Sequence, residues 1–251
     1  MKIGGRENKM FYYLVNPILS YNFILILSAV IPAIFLMVKA YNSDRMEKES
    51  PSLLWRLVKA GVLSSLLALV EERVLSGILN MYVLENTTLY NVILYFGIVA
   101  FSEESSKYIF LKRNTWLSPE FNCKYDGVVY AVFVSLGFAL WENISYVLSY
   151  GFATAVVRAV TAIPGHACFG VFMGVFYGAA KKYDYQYRNF SSKFFRIFAV
   201  VIPAILHGAY DYIASLNVGE SGWYFMLFVA ILFVISYALV GHEAKKDEYI
   251  D

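Results

Sequence analysis

Residues 126–150 read DGVVYAVFVSLGFALWENISYVLSY. This run is long enough to cross the hydrocarbon core of a bilayer, which takes about 20 mostly apolar residues in a helix. Similar runs occur along the whole chain, with approximate limits of 17–39, 57–80, 89–112, 126–150, 153–180, 195–217 and 222–241. The sequence therefore predicts a polytopic integral membrane protein with about seven transmembrane helices.

The fold class follows from what a backbone requires in lipid. Only helices and closed barrels satisfy every backbone hydrogen bond there, and segments this long without two-residue alternation exclude a barrel. The prediction is an all-α helical bundle. Composition agrees, because 59% of the residues are hydrophobic and only 16% are charged, against about 25% charged in soluble domains. The net charge of +2, without a basic run interleaved with aromatics, argues against nucleic acid as a partner.

The chain reads as one membrane-embedded domain over residues 1–251, since no internal repeat or low-complexity linker divides it. Most of its 21 lysines and arginines fall in the connections after spans one, three and five and in the tail. The opposite side carries Lys2, Arg6 and Lys9. By the positive-inside rule the N-terminus is outside and the C-terminus is cytoplasmic. Cys123 and Cys168 form no recognisable pair, so we expect no disulfide.

Polar side chains inside the predicted spans are the main functional signal. A charge at the centre of a membrane helix costs about 2.5–3.5 kcal/mol on the insertion scale, so a group of them requires pairing, a cavity or a function. The group in spans three to six comprises Glu103, Glu104, Lys107, Glu142, Arg158, His166, His207 and Asp211. Span two adds Glu71, Glu72 and Arg73, for which structural pairing, with Arg158 as a candidate partner, is the preferred interpretation.

Helical spacing brings some of these side chains together. Lys107 lies one turn after Glu103 and Glu104, so we expect it to neutralise one carboxylate and leave the other available. His207 and Asp211 share a face one turn apart, which suits two metal ligands or an imidazole oriented by a carboxylate. For a single histidine, an interhelical hydrogen bond is the simpler explanation. For the whole group a site is favoured, provided that spans three to six form a contiguous core.

Carboxylates and imidazoles can supply what peptide hydrolysis needs, which is an activated water, a proton donor for the leaving amine and oxyanion stabilisation. A serine nucleophile is poorly supported because there is no GxSxG motif. Cys168 lies two residues from His166 and so points to a different helical face. The sequence therefore favours water as the nucleophile.

Three short motifs resemble those of the PrsW family of intramembrane proteases. Residues 103–107 are similar to EExxK, Phe138 to Glu142 to FxxxE, and His207 to Asp211 to HxxxD. The resemblance covers spans three to six and implies a catalytic core at approximately 89–217. CAAX prenyl endopeptidases are distantly similar but have arginine and histidine where Lys107 and Glu142 stand, which disfavours a prenylated substrate.

The resemblance implies an intramembrane endopeptidase in a bacterial cell membrane. Its substrate would be a single-pass membrane protein of the anti-sigma factor type, cut at site 1 during envelope-stress signalling.

Two mechanisms remain open at this point. In the metal alternative, which is slightly favoured, His166, His207 and a carboxylate from Glu142 or Asp211 bind Zn²⁺, and Glu103 or Glu104 is the general base. In the metal-free alternative, one of these two glutamates activates water directly, and His207 with Asp211 stabilises the oxyanion. In both, Lys107 is an electrostatic partner.

Two other classes of protein use buried charges of this kind. A proton- or ion-coupled transporter is the main alternative, although the inverted repeats typical of transporters are absent from the sequence. A non-catalytic scaffold, in which the charges only fix helix packing, is the other.

Packing signals are also present. Gly170, Gly174 and Gly178 form a small-residue stripe that predicts close contact with a neighbouring helix. Pro164 and Pro203 predict interruptions of spans five and six near the two histidines.

Overall fold

The computed structural model describes residues 4–216 and 221–250, and for residues 4–20 and Ser221 it describes the backbone alone. Lys2 and the C-terminal residue of span six, Asn217, lie outside the described residues. The helices are α1 (Gly4–Ser43), α2 (Pro51–Tyr82), α3 (Thr88–Val92), a π-helical segment (Ile93–Ala100), α4 (Phe101–Thr115), α5 (Asp126–Tyr150), α6 (Phe152–Val160), α7 (Ala162–Tyr185), α8 (Asn189–Ser215) and α9 (Ser221–Lys245). The predicted all-α membrane bundle is confirmed.

Six of the described helical stretches are long and apolar enough to cross a membrane: Tyr21–Ser43, Pro51–Tyr82, Asp126–Tyr150, Phe152–Tyr185, Asn189–Ser215 and Gly222–Lys245. The remaining predicted span, 89–112, is helical throughout but consists of α3, the π-helical segment and α4. This segment contains the charged residues Glu103, Glu104 and Lys107. π-helical turns frequently occur at functional sites, and this one ends three residues before Glu103.

The surface of the bundle is largely apolar, and its interior holds several charged side chains, which soluble domains seldom bury completely. Phe35 is 68% exposed and Val234 is 69% exposed, whereas Glu104 and Lys107 are completely buried. The chain is therefore a multi-pass membrane protein, with its apolar side chains turned towards lipid.

Helix α5 is the centre of the bundle and packs against α1, α2, α4 and α7. The glycine stripe of α7 explains how closely α7 approaches it. A methyl group on Gly174 would lie 2.6 Å from the carbonyl oxygen of Gly127, and one on Gly127 would lie 2.7 Å from the amide nitrogen of Gly178. Both distances are too short for a side chain, so the predicted close helix contact is confirmed and lies between α5 and α7.

Local sequence signals explain several helix ends. Ser50 caps α2, because its side chain accepts a hydrogen bond from Leu53 N, and Pro51 occupies the first helical position. Gly151 separates α5 from α6 with φ of +84°, a conformation that glycine adopts at little cost. Span five is interrupted at Thr161, just before Pro164, and Pro203 lies inside α8. The break at Thr161 lies near His166, as predicted, whereas α8 continues through Pro203 without a break, so the predicted interruption of span six is wrong.

Candidate active site

The first part of the site lies on α4, where Lys107 joins two glutamates. Its Nζ lies 2.7 Å from Glu104 Oε1 and 3.1 Å from Glu103 Oε2. The expectation that Lys107 would pair with only one of them is wrong, because the long lysine side chain turns back along the helix and reaches both preceding positions. The ammonium also lies 4.0 Å from the centre of the Phe138 ring on α5, a favourable cation–π contact.

His166 on α7 links α4 to α5. Its Nδ1 lies 3.1 Å from Lys107 Nζ, and its Nε2 lies 2.8 Å from Glu142 Oε2. Both ring nitrogens therefore have polar partners from other helices. The contact between Lys107 and His166 joins residues 59 positions apart, so helical spacing could not predict it.

Glu142 is held by a second charged group, Arg158 on α6. Arg158 Nη2 lies 3.1 Å from Glu142 Oε2, and Arg158 Nε donates to Asn143 Oδ1 at 2.8 Å. Asn143 in turn donates to the carbonyl of Ala29 on α1 at 2.9 Å. The expected pairing of Arg158 with the acidic residues of span two is wrong, because α6 packs mainly against α1, α5 and α7.

His207 and Asp211 on α8 complete the group. His207 Nδ1 lies 3.0 Å from Glu104 Oε1, and His207 Nε2 lies 3.4 Å from Asp211 Oδ2. The Phe169 ring from α7 stacks on the His207 ring, with centroids 4.6 Å apart. The predicted one-turn pair is present, and its imidazole reaches across to α4.

These side chains form what we call the cavity cluster: Glu103, Glu104, Lys107, Glu142, His166, His207 and Asp211. A cavity of 780 Å³ opens beside it, and its lining includes Glu103, Glu142, His166, His207 and Asp211. Glu104 and Lys107 do not line the cavity and have no exposed surface. The structure thus distinguishes the two glutamates, since Glu103 borders the cavity and Glu104 lies behind it.

A metal ion would find suitable ligands in this cluster. Glu103, Glu104 and His166 each offer a ligand atom, and the three atoms lie within 4.8 Å of one another. Glu104 Oε2 is buried without a hydrogen-bond partner among the described residues. Two carboxylates and an imidazole suit a divalent transition metal. This set shares only His166 with the predicted ligands, because His207 contacts the group through Glu104 and Glu142 contacts it through His166 Nε2. The same three ligands contact Lys107, so a metal and the ammonium would compete for them.

Three further residues line the cavity, namely Phe138, Phe169 and Glu72; from the sequence, Phe138 was known only as part of its motif, Phe169 had no predicted role, and Glu72 was expected to take part only in structural pairing. The position of Phe138 one turn before Glu142 was a usable signal, since both then face the same neighbours. Cys168 packs with Phe169 and Leu232 and is absent from the cavity lining. Both cysteines are buried and free, as expected.

Comparison with known proteins agrees with the motifs and the geometry. The family model described as PrsW family intramembrane metalloprotease matches residues 49–239. Protease PrsW of Bacillus subtilis (strain 168) is 30% identical over 228 residues, covering 89% of this chain and 95% of the relative. Protease PrsW of Oceanobacillus iheyensis is 32% identical over 217 residues, covering 84% and 92%. That of Clostridioides difficile (strain 630) is 28% identical over 230 residues, covering 89% of each.

No solved structure matches the chain significantly. The matched relatives are membrane proteases, so the transporter alternative has no support, and the resemblance seen in the three motifs is confirmed. A protease of this kind acts on a membrane-protein substrate in the bilayer. The chain belongs to the PrsW family of intramembrane proteases.

Proposed function

We propose that this protease hydrolyses a peptide bond of a single-pass membrane protein with a water molecule activated in the 780 Å³ cavity. The observation that carries the proposal is the position of Glu103. Its carboxylate borders the cavity while its Oε2 lies 3.1 Å from Lys107 Nζ. A general base must reach the attacking water, and among the two candidate glutamates only Glu103 lines the space where a water and a peptide fit.

In this mechanism Glu103 accepts a proton from the attacking water and returns it to the leaving amine. Lys107 holds the Glu103 carboxylate in position, and Glu104 fixes Lys107 and His207 from behind. His207 is the candidate hydrogen-bond donor to the oxyanion, and Asp211 orients its ring. Glu142 and Arg158 orient His166. Preorganised donors of this kind are usually a large part of catalysis.

A metal ion, with Zn²⁺ the best candidate, fits the same site. Glu103, Glu104 and His166 would hold it, with His207 adjacent through Glu104. A bound zinc ion lowers the pKa of its water ligand to about 7 and polarises a peptide carbonyl. If Glu103 is a ligand, its unbound oxygen is the base. The family description as metalloprotease and the unpartnered Glu104 Oε2 support this assignment.

The proposed substrate is an anti-sigma factor, cut at site 1 in envelope-stress signalling in a bacterial cell membrane. Family membership supports this. The charge distribution of the sequence supports an external N-terminus and a cytoplasmic C-terminus. Residues 1–251 would form a single protease domain, with its catalytic core at approximately 89–217.

The experiment that tests the proposal measures cleavage of a tagged single-pass membrane protein and the metal content of the purified chain in parallel. Glu103→Gln should reduce cleavage by roughly 10²- to 10⁴-fold without unfolding the protein. The matched control is Glu85→Gln, an exposed glutamate outside the cavity lining, which should cleave normally.

The metal measurement decides between the two mechanisms. About one zinc ion per chain in the wild type, lost together with cleavage in His166→Ala, would support the metal site. Full cleavage by metal-free protein would assign water activation to Glu103 alone. Normal cleavage by Glu103→Gln would contradict the proposal.

A further inference from the structure

A second group of buried carboxylates lies at the end of the bundle where α5 begins. Asp44 follows α1, Glu49 precedes α2, and Asp126 is the first residue of α5. They are 3%, 6% and 1% exposed. Each offers a carboxylate oxygen, and the three atoms lie within 4.8 Å of one another. We call this group the α5 foot cluster.

Among the described side chains, the α5 foot cluster has no cationic partner. No ion pair joins Asp44, Glu49 or Asp126 to a lysine, arginine or histidine within residues 21–216 and 222–250, whose side chains the structure describes. The ammonium of Lys48 lies in the same connection but donates to the backbone carbonyls of Tyr41 and Asp44. Buried charges are normally paired, bound to metal or neutralised by protons, so something else must balance these carboxylates.

One oxygen of the cluster is also left without a hydrogen-bond partner. Asp44 Oδ1 accepts a hydrogen bond from Met46 N at 3.3 Å, while Asp44 Oδ2 is buried with no partner among the described residues. An unpartnered carboxylate oxygen that is this buried costs free energy unless a cation binds it.

Asp126 is already oriented as a ligand would be. Its Oδ2 accepts hydrogen bonds from Cys123 N at 2.7 Å and from Asn122 N at 3.1 Å. Such contacts to one carboxylate oxygen fix the direction of the other, as the groups around metal ligands commonly do. The carboxylate is therefore preorganised by the backbone of the preceding turn.

We propose that Asp44, Glu49 and Asp126 bind one hard divalent cation, Ca²⁺ or Mg²⁺. Oxygen-only ligands suit these ions and not zinc. Oxygens on opposite sides of Ca²⁺ are up to about 5 Å apart, and those around Mg²⁺ about 4 Å. The three ligand oxygens all lie within 4.8 Å of one another, a spacing compatible with joint coordination of one such ion.

The cation would fasten the α1–α2 connection to the start of α5, the helix that carries Phe138 and Glu142. The C-terminal tail meets the same turn, because Tyr125 N donates to Asp247 Oδ1 at 2.8 Å and Ile250 N donates to Asn122 O at 2.8 Å. The ion would thus stabilise a junction of three chain segments without taking part in hydrolysis.

The test uses the full chain, purified in detergent, treated with a chelator and exchanged into chelator-free buffer. Ca²⁺ and Mg²⁺ are then added separately while the melting temperature and the number of bound ions are measured. At about 100 times its dissociation constant, the ion should raise the melting temperature by about 5 °C or more. Asp44→Asn and Glu49→Gln, each nearly isosteric, should both lose this response.

Two controls locate the effect. Glu47→Gln alters an exposed carboxylate of the same connection and should keep the response. His166→Ala alters the cavity cluster and should also keep it, so this test succeeds or fails independently of the proposed catalytic mechanism.

Binding of about one ion per chain with these variant effects would support the site. A wild type that shows no shift with either ion at millimolar concentration, and is stabilised by acid instead, would assign the role to protons and overturn the proposal. An undiminished shift in Asp44→Asn and Glu49→Gln, or its loss in His166→Ala, would also overturn it.

Discussion

Two groups of buried carboxylates lie in different parts of this bundle, and among the described side chains only one group has a cationic partner. In the cavity cluster, Lys107 Nζ lies 2.7 Å and 3.1 Å from two glutamates. In the α5 foot cluster, Asp44, Glu49 and Asp126 lie together without an ion pair in the described part of the chain. A built-in cation keeps the charge balance of a reaction site constant, whereas a cluster without one makes stability depend on ions in solution.

The largest expected effect comes from removing the cation of the cavity cluster. Lys107→Met should lower the free energy of unfolding by about 3–5 kcal/mol, because it leaves two buried carboxylates uncompensated. Denaturant unfolding in detergent measures this. Lys124→Met is the control, since the Lys124–Glu243 pair is partly exposed and contributes about 1 kcal/mol or less. Equal stability of the Lys107→Met variant and the wild type would remove the contrast between the two clusters.

The next effect concerns α5, which contributes a residue to each cluster. Gly174→Ala should lower the free energy of unfolding by about 1–3 kcal/mol, because the added methyl group has no space against Gly127. It should also lower cleavage, since α7 carries His166. Gly241→Ala is the matched control, as a methyl group there meets no atom within 4 Å. Unchanged unfolding of Gly174→Ala would mean that α5 and α7 separate without cost.

A smaller effect, on kcat, should show whether Asp211 in the cavity cluster orients His207 or contributes to charge balance. Asp211→Asn should reduce kcat about tenfold, or about 1.4 kcal/mol, with little change in KM or stability, because it alters only the orientation of His207. Asp184→Asn, which breaks a partly exposed ion pair with Arg196, should leave kcat unchanged. A rise in KM with constant kcat would instead place Asp211 in substrate binding.

The smallest expected effect is a slight stabilisation of the protein, in contrast to the losses of stability and activity above. In chelator, Asp44→Asn should raise the free energy of unfolding slightly, by up to about 1 kcal/mol, because it removes one of three mutually repelling buried carboxylates. Glu47→Gln should have no effect in the same titration. Marked destabilisation by Asp44→Asn without any cation present would mean that the α5 foot cluster is already balanced, as the cavity cluster is.

The helices and the pairs within single helices were predictable from the sequence. Apolar runs of bilayer length predict spans, and contacts between residues three or four apart follow from helix geometry, as for His207 with Asp211. The structure of segment 89–112 was harder to predict, because its apolar content indicates one regular span while its backbone contains a π-helical stretch. Lys107 reached both glutamates because side-chain length and direction, not spacing alone, determine which partners it contacts.

Contacts between helices were decided by the tertiary structure. The orientation of Glu103 towards the cavity and of Glu104 away from it depends on the rotation of α4, which packing against α2, α5 and α8 sets. Arg158 forms an ion pair with Glu142 because α6 packs against α5. Nothing in the sequence distinguishes Asp44, Glu49 and Asp126 from other charged residues near the ends of apolar runs. Only the fold buries them together. Helical periodicity is a local property of the backbone, whereas the facing of one helix to another depends on every residue that packs between them.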